Sequence, residues 1–202
     1  VTTAAEVDAL RQVLHVESLQ RVLDTYSGTG TVEQVASEWG VGVHTNDINS
    51  RLQAMECCDA LQPGNCKRWA GAGFDAIITS PWFAILDLAV PLIESMKLRV
   101  ACIHVPSHYV TDCTQPRAWY LAKLAVEGRL HIVFNLPRGP VRRRNVWMLV
   151  FGSRQGKDEL LRKGSTQVMM HLFQEEGTAA MEVGSLLRAR DQLFNSCSVV
   201  DN

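Results

Sequence analysis

The feature that most restricts how this chain can fold is an alternation of short β-rich runs with helix-like stretches between residues 21 and 154. Such alternation is typical of βαβ units, in which helices cover a mostly parallel sheet. Strands are predicted at 21–26, 41–45, 74–79, 98–105, 130–135 and 146–152, with a short additional strand leading into Asp59. Helices are predicted at 6–18, 31–39, 48–55, 83–96 and 116–127.

The connection between the last two predicted strands differs from the others. Residues 136–145 hold two prolines and one glycine, and they lack a helical period. Because no crossover helix is expected there, the last two strands are predicted to pair antiparallel. The predicted fold is an α/β domain whose mostly parallel sheet ends in an antiparallel hairpin.

The length and composition suit one such domain with a tail. A chain of 202 residues that is 47% hydrophobic can bury one sizeable core. That core is assigned to residues 1–154, and residues 155–202 are predicted to form a helical extension with two amphipathic helices separated near Gly177. Their apolar faces are expected to pack on the domain, on a second copy or on a partner subunit.

Charge and cysteine content exclude several classes of protein. The formal net charge is -1, so any contact with nucleic acid requires a local basic patch.

No run reaches the roughly 20 apolar residues of a membrane span, and no signal-peptide pattern is visible. Cys57, Cys58 and Cys66 lack a fourth ligand and a nearby histidine, so no metal site is predicted. We expect a soluble intracellular protein with reduced thiols, in a compartment that the sequence leaves open.

A turn after the first predicted strand marks one half of a candidate site. The strand ends in Asp24-Thr25-Tyr26, and Ser27-Gly28-Thr29-Gly30 leads into a helix. Glycines there permit a tight turn and let a ligand approach the backbone at the helix N-terminus. A purely structural turn is the alternative, since Gly-x-Gly is common. The ligand contacts are assigned to Asp24, Tyr26, Ser27, Gly28 and Gly30.

The ends of the next two predicted strands add further carboxylates. Asp47 lies 17 residues after Gly30, where a carboxylate can accept both ribose hydroxyls of a nucleoside, and Ile48 is assigned to the same site. The alternative for Asp47 is a helix N-cap. Asp59 is a candidate acceptor for an adenine amino group, or else a solvated loop residue.

The chemistry of Asp24 separates two kinds of nucleotide-binding fold. A dinucleotide-binding fold keeps an apolar strand residue at the position of Asp24. A carboxylate at this position better suits the positive charge of an amino-acid sulfonium ligand.

The strongest signal is an apolar strand that runs directly into Ser80-Pro81-Trp82-Phe83. With the glycine turn that ends 50 residues earlier, this segment resembles the S-adenosylmethionine-dependent amino-methyltransferases of adenine N6 and cytosine N4. Their motif is Asp, Asn or Ser, then Pro-Pro, then an aromatic residue. The resemblance extends over residues 22–154 and includes the predicted late strands and the helix around Trp119. It implies a class I, Rossmann-like methyltransferase fold, whose sheet usually ends in an antiparallel hairpin.

The same resemblance implies roles for the motif residues. Ser80 would accept a hydrogen bond from the target amino group, Pro81 would present its carbonyl to that group, and Phe83 would stack on the extruded base. Trp82 replaces the second proline of the family motif. The phage and bacterial adenine pattern favours adenine N6, whereas serine at the first position is more usual in cytosine-N4 enzymes.

Two other functions remain open on the sequence. A non-catalytic member of the fold, with a structural or RNA-binding role in a larger assembly, is consistent with Trp82. A methyltransferase of a protein side-chain amide or of a small molecule is the second, because related enzymes use a similar motif on glutamine. Binding of S-adenosylmethionine would distinguish an intact cofactor site from a vestigial one.

The predicted hairpin carries the basic patch that nucleic-acid binding would need. Residues 138–144 contain four arginines: Arg138, Arg142, Arg143 and Arg144. Guanidinium groups can hold phosphates, although a solvated hairpin tip is the ordinary alternative. Because an irregular loop gives no fixed frame for reading base edges, affinity without base specificity is expected.

Replacing Arg142, Arg143 and Arg144 with glutamine should therefore reduce the salt dependence of nucleic-acid binding. The slope of log affinity against log salt should flatten by up to about three phosphate contacts, because fewer counterions are released. Titrations of an oligonucleotide at several salt concentrations measure this slope. A slope identical to that of the parent would remove these arginines from the interface.

Overall fold

The computed structural model describes residues 2–111, 115–134 and 145–162 and contains a six-stranded sheet. The strands are β1 (Arg21–Asp24), β2 (Gly42–Thr45), β3 (Ala76–Thr79), β4 (Val100–Pro106), β5 (Leu130–Phe134) and β6 (Asn145–Phe151). Their order is β2-β1-β3-β4-β6-β5. The first four strands are parallel, and β6 pairs antiparallel with both β4 and β5. The predicted mostly parallel sheet with an antiparallel ending is confirmed.

Helices precede the sheet, connect its strands and follow it. They are α1 (Ala4–Asp8), α2 (Leu10–Val13), α3 (Thr31–Glu38), α4 (Pro63–Ala70), α5 (Leu86–Ser95), α6 (His108–Thr111), α7 (Gln115–Val126) and α8 (Arg154–Leu160). Short 3-10 turns cover Val16–Ser18 and Phe83–Ile85. Among the described residues, no helix is long and apolar enough to cross a membrane.

The sheet separates two apolar cores, one on each face. In β6, Met148 belongs to the core beneath α5, whereas its neighbours Trp147 and Leu149 belong to the core beneath α1 and α3. Side chains alternate between the faces of a strand, so a strand covered on both sides must be apolar throughout. This requirement explains the continuous apolar run of residues 146–151.

The predicted helix at 48–55 is wrong. This segment forms turns because side chains bond its backbone: the N–H of Asn49 donates to Asp47 Oδ1 at 2.9 Å, and the N–H of Met55 donates to Thr45 Oγ1 at 3.0 Å. Such local bonds compete with helix formation. The strand predicted to lead into Asp59 is reduced to one parallel bridge between Asn46 and Glu56.

Helix α4 was not predicted from the sequence. Its first turn contains Pro63, Gly64 and Asn65, of which glycine and asparagine are weak helix formers. Proline is well tolerated in a first helical turn, and the helix is stabilised by burial of Cys66 and Trp69 on one face. Tertiary packing therefore overrides the local preference.

Two other predicted helices are present in modified form. The one predicted at 6–18 is divided into α1, α2 and the turn at Val16–Ser18. The one predicted at 83–96 begins with the 3-10 turn and continues as α5, which contains Pro91. Proline cannot donate to the carbonyl four residues earlier and tends to kink or break a helix. Helix α5 nevertheless continues to Ser95.

Helix α8 connects the end of the sheet with the N-terminal segment. Leu160 is 1% exposed and lies in the core that contains Leu10 and Leu14. Leu161 forms an antiparallel bridge with Leu14. The division of the chain at residue 154 stays a prediction. Of the helical extension predicted at 155–202, the structure describes only residues 155–162, and the predicted separation of two helices near Gly177 lies outside the described residues.

Leu160→Ala should lower the free energy of unfolding by about 2–5 kcal/mol, because truncating a buried leucine removes apolar burial and leaves a cavity. Leu88→Ala is the matched control, since Leu88 is 62% exposed on α5 and should change stability by less than about 0.5 kcal/mol. Urea unfolding of both variants measures the difference. Equal midpoints for the two variants would show that α8 contributes nothing to the folded core.

Candidate functional site

A cavity of about 910 Å³ opens where the parallel strands end at their carboxyl edge. Ligands of open α/β sheets bind at this edge. Eleven of the twelve residues predicted for the cofactor and catalytic halves line it: Asp24, Tyr26, Ser27, Gly28, Asp47, Ile48, Asp59, Ser80, Pro81, Trp82 and Phe83. Gly30 is the twelfth and lies beside the cavity as the N-cap of α3.

The turn after β1 requires glycine at two positions. Gly28 has a φ of 53° and Gly30 a φ of 79°, in the left-handed region that other residues rarely adopt. The N–H of Gly30 donates to the carbonyl of Ser27 at 2.9 Å, which closes the turn. A Cβ on Gly28 would meet no atom within 4 Å, so the backbone angle rather than crowding demands glycine there.

Asp24 places a buried carboxyl group in the wall of the cavity. It is 1% exposed, and Oδ1 accepts hydrogen bonds from the Thr79 hydroxyl at 2.8 Å and the Tyr26 N–H at 3.2 Å. Burial raises the pKa of Asp24 from 3.8 to about 7, although these two hydrogen bonds act in the opposite direction. A cationic ligand beside Asp24 would favour its ionised form.

Asp47 connects the end of β2 to the glycine turn. Its Oδ2 accepts a hydrogen bond from the Gly28 N–H at 2.9 Å, and its Oδ1 accepts one from the Asn49 N–H at 2.9 Å. No helix follows Asp47, so the helix N-cap alternative is wrong. Each carboxylate oxygen has a second lone pair, which leaves acceptor capacity for a ligand hydroxyl.

Asp59 lies in the loop before α4. Its Oδ1 accepts a hydrogen bond from the Leu61 N–H at 2.9 Å, and its Oδ2 accepts a longer one of 3.4 Å from Gln62 Nε2. The side chain is half-buried and lines the cavity. Its placement is compatible with a ligand contact and with a loop-stabilising role.

The predicted catalytic segment, from Ser80 to Phe83, also lines the cavity. Pro81 is buried, whereas Trp82 is 80% exposed and Phe83 is 49% exposed. The carbonyl of Trp82 accepts a hydrogen bond from the Ile85 N–H at 3.0 Å and so begins the short 3-10 turn. Two adjacent aromatic side chains are thereby available at the mouth of the cavity.

Polar residues that were not predicted from the sequence hold this edge of the sheet together. Thr79 bonds to Asp24 across β1 and β3, and the buried Asn46 side chain donates to the carbonyls of Thr25 and Cys58 at 3.1 Å each. The one available signal was position, because Asn46 and Thr79 directly precede the predicted site residues Asp47 and Ser80.

His104 adds an imidazole to the cavity wall. It is 2% exposed in β4, and its Nδ1 lies 3.0 Å from the hydroxyl of Thr2. Its Nε2 is 3.5 Å from Glu6 Oε1, longer than a normal hydrogen bond. The ring packs against Trp147 with centroids 4.8 Å apart. His104 lies within the strand predicted at 98–105, but its contact with the cavity was not predicted from the sequence.

The remaining predicted site residues are not placed. Arg138, Arg142, Arg143 and Arg144 lie outside the described residues. Within the described ranges, no group of three or more His, Cys, Asp or Glu side chains is arranged to hold a metal ion.

The raised pKa of Asp24 predicts a pH-dependent difference between the parent and Asp24→Asn. Between pH 3.8 and about 7 the unfolded chain releases a proton that the folded chain retains, so the stability of the parent falls as pH rises. In the variant, the amide oxygen of the new side chain can accept the same two bonds without this linkage. Relative to the variant, the parent should lose up to about 1.4 kcal/mol per pH unit across this window and nothing further above it. Urea unfolding at several pH values checks this, and parallel curves for the two proteins would contradict it.

Comparison with known proteins shows the fold. No protein-family model and no curated protein sequence matches the chain. The M protein of the type I restriction enzyme EcoKI matches with a TM-score of 0.56 and 13% identity, covering 78% of this chain and 45% of that chain. An S-adenosylmethionine-dependent methyltransferase from Agrobacterium tumefaciens matches with a TM-score of 0.52 and 16% identity, covering 74% and 61%.

A methyltransferase subunit of a type I restriction-modification system from Streptococcus thermophilus matches with a TM-score of 0.51 and 11% identity, covering 82% of this chain and 50% of that chain. The chain thus spans less than two thirds of the length of each of these three proteins. At such low identities the likeness establishes architecture only. The chain has the class I, Rossmann-like fold of S-adenosylmethionine-dependent methyltransferases.

Proposed function

We propose that this chain is an S-adenosylmethionine-dependent methyltransferase that acts on an exocyclic amino group of a nucleic-acid base, with adenine N6 favoured over cytosine N4. The observation that carries the proposal is that one cavity is lined both by Asp24 and Asp47 and by the segment from Ser80 to Phe83. A cofactor site and an amino-group site would therefore face the same space.

The residues of the cofactor half suit S-adenosylmethionine. When bound, this cosubstrate supplies an electrophilic methyl group on a positively charged sulfonium. Asp24 offers a carboxyl group for the positive charge of the amino-acid portion, and among the described residues its Oδ2 accepts no hydrogen bond. Asp47 retains lone pairs for ribose hydroxyls, Ile48 offers an apolar surface, and Asp59 offers an acceptor for the adenine amino group.

The residues of the catalytic half suit an aromatic amine. The Ser80 side chain and the Pro81 carbonyl would accept hydrogen bonds from the target amino group, which orients its nitrogen lone pair toward the cofactor site. Phe83 would stack on the base that has left its helix. These residues act by orientation and exclusion of water, and no strong base is required of them.

Nucleic acid is the substrate class that the combined observations favour. Two of the matched proteins belong to type I restriction systems, which supports DNA as one candidate. The arginines of residues 138–144 would supply phosphate contacts. A second copy or a partner subunit would bind through the C-terminal helices predicted at 155–202.

A second candidate is a non-catalytic subunit with this fold. It is favoured by Trp82, which replaces the second proline of the family motif. The backbone of that turn therefore lacks the restriction that a proline ring would impose. Such a subunit would retain the cavity while transferring no methyl group. Protein amides and small molecules are further substrates to include in any activity assay.

Two substitutions test the two halves of the site in one experiment. Asp47→Ala should weaken S-adenosylmethionine binding at least about tenfold, because it removes charge-assisted hydrogen bonds to the ligand. Ser80→Ala should leave that affinity near the parental value and lower kcat for transfer to an oligonucleotide roughly a hundredfold, because the target amine is no longer oriented. Calorimetry and transfer of a labelled methyl group measure the two effects.

Asp158→Ala is the matched control, because Asp158 is an exposed carboxylate on α8 that does not line the cavity. It should behave as the parent in both assays. Absence of cofactor binding by the parent would refute the proposal. Cofactor binding without transfer to any substrate would instead support the non-catalytic subunit.

A further inference from the structure

Trp82 is the most exposed large apolar side chain among the described residues, at 80%. Trp69 and Trp147 are both at most 1% exposed and serve the two cores. Single exposed apolar residues are common on protein surfaces. Trp82 differs from them because it lines the mouth of the cavity beside Phe83, which is itself 49% exposed.

The local backbone does not require tryptophan at this position. Trp82 has φ -60° and ψ 138°, and φ is close to the value that the proline ring imposes. Within the described part of the chain, its N–H donates no hydrogen bond that a proline would remove. Neither the turn geometry nor burial therefore accounts for the indole, and its surface is free to contact a ligand.

We propose that Trp82 stacks on the nucleotide next to the target base and that the chain thereby prefers single-stranded nucleic acid. This inference rests on the proposed function and specifies its substrate. Phe83 would hold the target base within the cavity, while the indole at the rim would hold its neighbour. Adjacent aromatic platforms of this kind bind successive unpaired bases, and each stacked base contributes to affinity.

The preference for single strands follows from whether the face of the flanking base is open to the indole. In a duplex the flanking base stays stacked between its neighbours, so its face is closed to the indole unless the helix is disrupted. In a single strand that face is open.

The charge of the site favours stacking as the source of affinity. The cavity wall carries the carboxylates of Asp47 and Asp59, and the chain has a formal net charge of -1. Phosphates gain little from such a surface, whereas stacking is independent of charge. An indole at the rim therefore adds affinity that the cavity residues cannot supply through phosphate contacts.

Trp82→Pro is the decisive variant, because it restores the family motif and suits the observed φ. Affinity is measured by fluorescence anisotropy for an unstructured single-stranded oligonucleotide and for its duplex, each with S-adenosylhomocysteine present. The variant should weaken single-strand binding about 5- to 150-fold and change duplex binding by less than about twofold. Trp82→Phe should recover most of the loss, since a smaller aromatic ring still stacks.

Trp119→Ala is the control for loss of an exposed indole, because Trp119 is 40% exposed on α7 and does not line the cavity. It should bind single strands as the parent does. The unfolding midpoint of each variant reports whether its fold is intact. Equal losses for single strand and duplex, a larger loss for duplex, or no loss would each overturn the inference, and a larger duplex loss would identify Trp82 as a wedge in duplex DNA.

The outcomes also separate this inference from the proposed function. If the parent methylates nucleic acid but Trp82→Pro binds single strands as tightly as the parent, the inference fails and the function stands. If the parent transfers no methyl group but Trp82→Pro loses single-strand affinity selectively, the stacking role stands and the catalytic proposal fails. A parent that binds neither form of nucleic acid overturns both.

Discussion

The candidate site depends on one buried amide, the side chain of Asn46. It is fully buried, its Nδ2 donates to the carbonyls of Thr25 and Cys58, and its Oδ1 accepts the N–H of Cys58 at 3.0 Å. These bonds join the segments that follow β1 and β2 to the loop before α4. Because an unsatisfied buried amide costs about 1–3 kcal/mol, the three segments are held in one arrangement, which forms the cofactor half of the cavity.

Asp24 shows how the same edge combines folding with function. Its carboxyl group is buried without a cationic partner among the described residues, which is unfavourable for the charged form and raises its pKa. Thr79 and the Tyr26 backbone offset only part of this cost. A cationic ligand would stabilise the ionised carboxyl group of Asp24. The buried carboxyl group therefore lowers the stability of the unliganded protein, and ligand binding would offset this cost.

The sequence predicted an element correctly where the interactions that stabilise it leave a local sequence pattern. Strands β3, β4 and β6 were recognised because burial on both faces demands apolar runs, and such runs are visible in the local sequence. The helix predicted at 48–55 failed because Asp47 and Thr45 bond to backbone N–H groups within it. Helix α4 was missed because its stability comes from burial of Trp69 in the core that also contains residues of α5, rather than from local preference.

The sequence by itself determined the α/β architecture, the glycine turn and the position of Ser80 at a strand end. Each depends on a local pattern in the sequence: apolar runs, glycines directly after a strand, and a proline-aromatic segment after a strand. Only the tertiary structure decided that Asp24 meets Thr79 and that the Trp82 indole faces solvent. The first requires β1 to lie beside β3, and the second requires knowing which surfaces the neighbouring elements leave uncovered. Both follow from sheet order and packing between segments distant along the chain, which no local pattern encodes.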